Sequence, residues 1–277
     1  MLLALDVGNS NIVLALFDTG TPATQEPLAS WRLTTSKHQT SDEYSILFRE
    51  LFAMRQIPME SVQAIVISSV VPPLDTALRQ VCEQHFKIKP LFVEPGVKTG
   101  LPVLVDSPAE VGADRIVNCV AAFEKYGGPC IVVDLGTATT FDVVSARGEF
   151  LGGAIAPGLE ISADALFEQA AKLPRVDVKR PAKIIGTSTT DNIQIGLYYG
   201  YIGLVDGILE RMIAELGPET KLVATGGLAR LIAGGSKYIS EVDPMLTMTG
   251  LRIVHERNAE RGRRRSAGSS TAAAPHA

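Results

Sequence analysis

The chain has 277 residues, of which 46% are hydrophobic and 20% charged, and its formal net charge is -4 at pH 7. That length gives one large domain or two of moderate size, with a core that needs no disulfide or metal staple. The mildly acidic balance excludes a basic nucleic-acid-binding surface as the main business of the fold. Cys82, Cys119 and Cys130 are widely spaced among apolar neighbours, so they read as reduced core thiols of a cytoplasmic protein. No basic leader precedes Asp6, and no apolar run reaches the roughly 18 residues of a membrane span, so no membrane association is expected.

Taken in chain order, LLAL (2–5) and IVLALF (12–17) read as two strands of a hairpin around DVGNSN. A third strand is expected near residues 28–33. SDEYSILFRELFAMRQ (41–56) reads as an amphipathic helix, with Ser41 as its cap, Asp42 and Glu43 in the first turn, and Ile46, Leu47, Leu51 and Met54 at helical spacing. AIVISSV (64–70) is a short buried strand, PPLDTALRQVCEQHF (72–86) a helix opened by prolines, and LFV (91–93) another strand. CIVVDLGTATTFDVVS (130–145) repeats the pattern of an apolar run, an acidic glycine turn and a second apolar run. GGAIAPGL (152–159) reads as a loop before a helix, and Thr189 in GTSTTDNIQ as a candidate cap of the helix that follows. KLVATGGLARLI (221–232) is a strand, a glycine turn and a helix start. The stretch from Arg257 to the end, rich in Arg, Ser, Ala and Gly without apolar periodicity, is expected to be a disordered tail.

Asp6 aligns with Asp134 and Gly8 with Gly136, and KLVATGGLARLI parallels AIVISSVVPPL, so the chain carries a weak internal repeat of about half its length. DVGNSN by itself fits an ordinary turn or a phosphate cradle. In the second case its main-chain N–H groups face an anion, Ser10 and Asn11 add donors, and Asp6 beside the phosphates calls for a bridging cation such as Mg2+. EVGADR (110–115) is equally open: Asp114 can cap the following helix or belong to a site, and Arg115 can pair with a surface acid or offer a fork of donors to substrate oxygens. Asp134 fits a strand-end acid holding loop N–H groups as well as a ligand-binding acid.

The two acidic hairpins and the glycine-rich helix start resemble the nucleotide cleft of the actin-like, hexokinase-like superfamily. That likeness implies a duplicated α/β (ribonuclease H-like) fold, two mixed-sheet domains with ATP clamped between them. The ordered set DVGNSNIVLALFD, ISSVVPPL, EVGADR, VVDLGTATTFD, GGAIAPGLEISADAL, GTSTTDNIQIG and ATGGLA is similar to type III pantothenate kinases over nearly all of residues 1–255. The resemblance implies ATP-dependent phosphorylation of pantothenate in the cytoplasm, domains at 1–118 and 119–256, and a tail at 257–277. It makes the hairpin Asp6, Val7, Gly8, Asn9, Ser10, Asn11, Ile12 and Val13 the ATP-phosphate cradle, with Asp6 holding Mg2+ through water, and gives Thr137 a contact to the same phosphates. It makes Asp114 the catalytic base within a pantothenate site of Gly112, Ala113, Asp114 and Arg115. Asp134 is implied to bind a monovalent cation, K+ or NH4+, and Thr189 to reach pantothenate from the partner subunit of a homodimer. Two departures stand out: Leu104 and Val105 occupy the place of an Arg-Tyr pair, and Val13 that of a Lys found in some members. Another small-molecule kinase of the superfamily, or a non-enzymatic relative of the Bvg accessory factors, are the competing readings.

Overall fold

The computed structural model describes residues 1–22 and 26–269, with side chains described as far as residue 259. Two compact units emerge: Met1–Pro102 with Asp106–Ala121 and the segment from Thr247, and Val103–Val105 with Ala122–Leu246.

In the first unit β1 (Leu2–Val7) and β2 (Asn11–Phe17) form the expected hairpin, extended by β3 (Ala29–Thr34). The chain continues through α1 (Ser41–Met54), β4 (Ala64–Ser69), α2 (Pro72–His85), β5 (Leu91–Phe92) and α3 (Ala113–Tyr126). The strand order is β3-β2-β1-β4-β5, antiparallel on the hairpin side and parallel from β1 to β5. Leu3, Leu5, Val7, Ile12, Leu14 and Ile67 pack against Tyr44, Phe48, Phe52, Leu74 and Leu78 of α1 and α2, which makes one sheet face a continuous apolar core. Thr40, not Ser41, caps α1: its hydroxyl accepts the Glu43 N–H at 3.3 Å while Glu43 Oε2 accepts the Thr40 N–H at 2.7 Å. This reciprocal box needs its acid three residues on, a spacing that Thr40 meets with Glu43.

The second unit repeats the plan with β6 (Cys130–Leu135), β7 (Ala138–Val144), β8 (Phe150–Pro157), α4 (Leu159–Gln169), α5 (Thr189–Leu216), β9 (Lys221–Thr225), α6 (Ala229–Ala233) and β10 (Glu241–Val242). Its order is β8-β7-β6-β9-β10, with the same antiparallel and parallel pairings, so each strand has a counterpart in the first sheet. The stretch expected to be a loop at 152–159 is mostly the strand β8. Its small residues hide a strand because the packing demands them: a side chain at Gly153 would lie 1.8 Å from the Phe141 carbonyl oxygen.

The boundary expected at 118/119 falls inside α3, and the change of unit comes at Ala121/Ala122. The stretch from Arg257, expected to be a tail, continues α7 (Leu246–Ser269), whose Arg257 and Asn258 are anchored. Asn258 pairs with both main-chain groups of Lys98, at 3.1 and 3.0 Å, and Arg257 donates to the Thr99 carbonyl. Residues 270–277 lie outside the described residues. The three cysteines are free and buried, and burial pushes the thiols of Cys82 and Cys130 up to about 12. Among the described residues, no helix is long and apolar enough to cross a membrane.

Candidate functional site

Each unit carries an acidic residue at the end of its central hairpin. In the first, Asp6 is the penultimate residue of β1, in register with Val13 of β2 and Ser68 of β4. The tip is closed by the Gly8 N–H donating to the Asn11 carbonyl at 3.0 Å. Thr35, just past β3, pins it further: its hydroxyl donates to the Gly8 carbonyl at 2.6 Å and its N–H to the Ser10 carbonyl at 3.0 Å. Asn9 and Ser10 are exposed at the tip, whereas Val7 and Ile12 are wholly buried in the core. The side chains of Val7 and Ile12 therefore anchor the hairpin, and only their main chain can meet a ligand. Val13 is partly buried beside Asp6.

Asp114 is the second residue of α3, not its cap, and its Oδ1 accepts the N–H of Arg115 at 2.8 Å. Burial raises its carboxyl above the ordinary carboxylate range, against the lowering pull of the Arg115 N–H and guanidinium. Gly112, Ala113 and Arg115 flank it, all partly buried, at a helix N-terminus where main-chain N–H groups favour negative charge.

In the second unit Asp134 stands on β6 where Asp6 stands on β1, in register with Thr140 of β7 and Thr225 of β9. Gly226 follows β9 with φ +95°, and a side chain there would lie 2.6 Å from the Leu135 carbonyl oxygen and 2.7 Å from Asp134 Oδ1. Only glycine allows both the left-handed backbone and this close approach. The second hairpin is one residue shorter than the first: Leu135 and Thr139 enclose residues 136–138, whereas Val7 and Ile12 enclose 8–11. Thr137 sits exposed at its tip, and its carbonyl accepts the N–H of Gly158, the residue before α4, at 3.1 Å. Among the described residues, no group of three or more His, Cys, Asp or Glu gathers to hold a metal ion.

A cavity of about 500 Å3 adjoins this hairpin, lined among others by Glu160, Asp164 and Phe167 of α4, Arg175, Val178 and Leu228. Leu228 also donates its N–H to the Leu135 carbonyl at 3.4 Å, which ties the cavity wall to the end of β6. Thr189 is the exposed first residue of α5; the cap is Ser188, whose Oγ accepts the Asp191 N–H at 3.1 Å. Leu104, 55% exposed, joins the second unit through its N–H to the Phe150 carbonyl at 2.8 Å, and Val105 packs near Gly152. Sequence reading missed Thr35, Thr225 and the cavity residues. Thr225 could have been found, since it occupies in the repeat the place that Ser68 holds in the first half.

The family model described as type III pantothenate kinase matches residues 2–211. A protein of Koribacter versatilis (strain Ellin345) called type III pantothenate kinase is 62% identical over 274 residues, covering 97% of this chain and 100% of that one. One of the same description from Acidobacterium capsulatum is 59% identical, covering 99% and 100%. Among solved structures, the activator of the 2-hydroxyisocaproyl-CoA dehydratase from Clostridium difficile with bound ADPNP shares the fold. Its TM-score is 0.55 at 11% identity, covering 95% of this chain and 97% of that one.

Proposed function

The chain belongs to the type III pantothenate kinase family, and we propose that its paired hairpins and the first turn of α3 carry the reaction of that family. It is a phosphotransferase with an alcohol acceptor: it phosphorylates pantothenate with ATP, giving 4′-phosphopantothenate, the first step of coenzyme A biosynthesis. The observation that carries the site reading is Asp114, a partly buried carboxyl at the start of α3 that accepts the Arg115 N–H at 2.8 Å and is held above its ordinary range by burial. Asp114 accepts the proton of the pantothenate hydroxyl as that oxygen attacks the γ-phosphorus. In a loose phosphoryl transition state the proton leaves late, so positioning matters more than basicity, and a raised pKa improves the match to neutral pH. Gly112, Ala113 and Arg115 hold pantothenate beside it, with the Arg115 guanidinium donating to substrate oxygens.

The tip residues Gly8 to Asn11, with the main chain of Val7, Ile12 and Val13, cradle the ATP phosphates, and Thr137 is a further phosphate contact. Asp6 would hold Mg2+ through water, and the ion would supply neutralisation of the phosphate charge there. The donors at Asp134, one carboxylate with main-chain carbonyls such as that of Leu135, fit K+ or NH4+ better than a small divalent ion. The cavity beside α4 is large enough to seat the nucleoside, with Phe167, Val178 and Leu228 as apolar walls and acids able to accept from ribose hydroxyls.

A homodimer with composite sites completes the reading, Thr189 reaching the partner's pantothenate. Support comes from α5 itself: Gly196, Gly200, Gly203 and Gly207 form one stripe opposite its buried face, and Tyr199 is exposed beside them. Each glycine costs a helix interior about 1 kcal/mol relative to alanine, so such a stripe is maintained against helix propensity. A cytoplasmic location fits the three free, buried cysteines.

ADP release measured with ATP, Mg2+ and pantothenate tests this. Turnover is expected in K+ and to fall when Na+ replaces it, and Asp114→Asn is expected to lose at least a hundredfold in kcat. Full activity in Asp114→Asn would remove the base assignment, and equal rates in K+ and Na+ the ion at Asp134.

A further inference from the structure

In both sheets the strand lying parallel to the acid-bearing strand places a hydroxyl residue in register with the acid. Ser68 of β4 is opposite Asp6, and Thr225 of β9 is opposite Asp134. Residues in register on neighbouring strands leave the sheet on the same face. The alternate residues Leu3, Leu5, Val7, Ile65 and Ile67 point into the core with α1 and α2, so Asp6 and Ser68 share the opposite face. Both hydroxyl residues are buried, Ser68 at 0% exposure and Thr225 at 3%.

Ser68 has a second peculiarity. Its Oγ has no hydrogen-bond partner among the described residues. A buried donor without a partner destabilises a fold, and alanine would fill the same space without that cost. The adjacent Ser69 shows the ordinary arrangement, donating to Asp75 Oδ1 at 2.6 Å and accepting the Val71 N–H at 3.2 Å.

We propose that Ser68 is a positioning residue for Asp6. On ligand binding its hydroxyl donates to the Asp6 carboxylate and fixes the orientation in which that carboxylate receives the hydrated Mg2+ of the nucleotide. Stability of the empty protein is thus exchanged for order in the loaded site. This rests on the reading of Asp6 as part of the ATP-phosphate cradle.

The test is Ser68→Ala in the full chain, with Mg·ADP binding measured by calorimetry and melting followed without ligand. The expected result is a roughly tenfold weaker Kd for Mg·ADP, a matching rise in KM for ATP, an unchanged KM for pantothenate, and a Tm equal to or above wild type. Ser68→Thr, which keeps the hydroxyl, is expected to restore nucleotide binding. Wild-type Mg·ADP affinity in Ser68→Ala, or a lowered Tm with both KM values worsened, would overturn the inference. Asp6→Asn separates the two levels. If Asp6→Asn abolishes Mg·ADP binding while Ser68→Ala does not change it, the Ser68 role alone falls. If Asp6→Asn binds as wild type, the reading of Asp6 falls and the Ser68 role with it.

Discussion

In the proposed mechanism the Asp114 carboxyl serves catalysis at the expense of the fold. Its pKa is raised in the folded chain by burial, so the folded state holds its proton more tightly than the unfolded state does. The stability this group contributes is full below its unfolded value of about 3.9 and is lost as pH rises through the folded value. At neutral pH the ionised carboxylate is therefore a burden, and Asp114→Asn is expected to melt at or above the wild-type temperature while losing activity. Differential scanning calorimetry at pH 7, run beside the ADP assay, checks both. The same shift has a kinetic face: kcat/KM falls on the acid side with an apparent pKa above that of an ordinary aspartate, and a pH–rate profile with pantothenate limiting reads it. GADR was legible as a motif, but not that burial would outweigh the neighbouring Arg115, because that depends on what the rest of the chain packs around the carboxyl.

At the scale of elements, hairpins and crossover helices followed from apolar runs, prolines and caps, while β8 did not. Its Gly153 answers to the main chain of Phe141 on the neighbouring strand, a contact that no local pattern encodes. The turn after β9 is similar: GG was visible, but the closeness of Gly226 to Leu135 and Asp134 was not. Gly226→Ala is expected to destabilise by about 1–3 kcal/mol through its positive φ and to displace the Asp134 carboxylate. The activity remaining in Gly226→Ala should accordingly respond less to K+, which titration of rate against K+ measures. On α5 the opposite holds. A side chain at Gly200 or Gly203 meets open space, so Gly203→Ala should stabilise an isolated chain by up to about 1 kcal/mol. Gly203→Leu, which projects much further, should shift the protein toward monomer in gel filtration and raise the KM for pantothenate if Thr189 serves the partner's site. A dimer with wild-type KM would count against the stripe as the interface.

For the whole molecule, duplication is the governing fact. Two sheets share one strand order, and the acids at Asp6 and Asp134 fall at matching places in register. What the copies do not share is equally informative: the first hairpin tip is longer and braced by Thr35, while the second is shorter and tied to Gly158 ahead of α4. Helix α7 begins where the second unit ends yet packs with the first, its Gly250 against the main chain of Val117 in α3. It secures two loops of that unit. The guanidinium of Arg252, 1% exposed, donates to the Asp18 carbonyl at 3.0 Å and lies over the Phe17 ring, while Asn258 holds Lys98. A chain truncated before Arg257 should lose these Lys98 and Thr99 contacts, about 2 kcal/mol, and melt roughly 4–8 °C lower. Arg252→Ala should cost more, since it removes a buried cation from several carbonyl partners at once.

The sequence by itself determined the duplicated plan, the two acidic hairpins and the GADR turn, because these rest on short-range patterns: an apolar run, an acid, a glycine and a helix start in fixed order; the reaction followed from the resemblance of the ordered motifs to type III pantothenate kinases. The tertiary structure decided which hairpin residues are core and which are tip, that Leu104 bonds to Phe150 of the second sheet, and that the segment after Arg257 is helical. It also set the unmet hydroxyl of Ser68 in register with Asp6. Each of these depends on contacts between residues far apart in the chain, where burial and register, not local propensity, fix what a side chain meets.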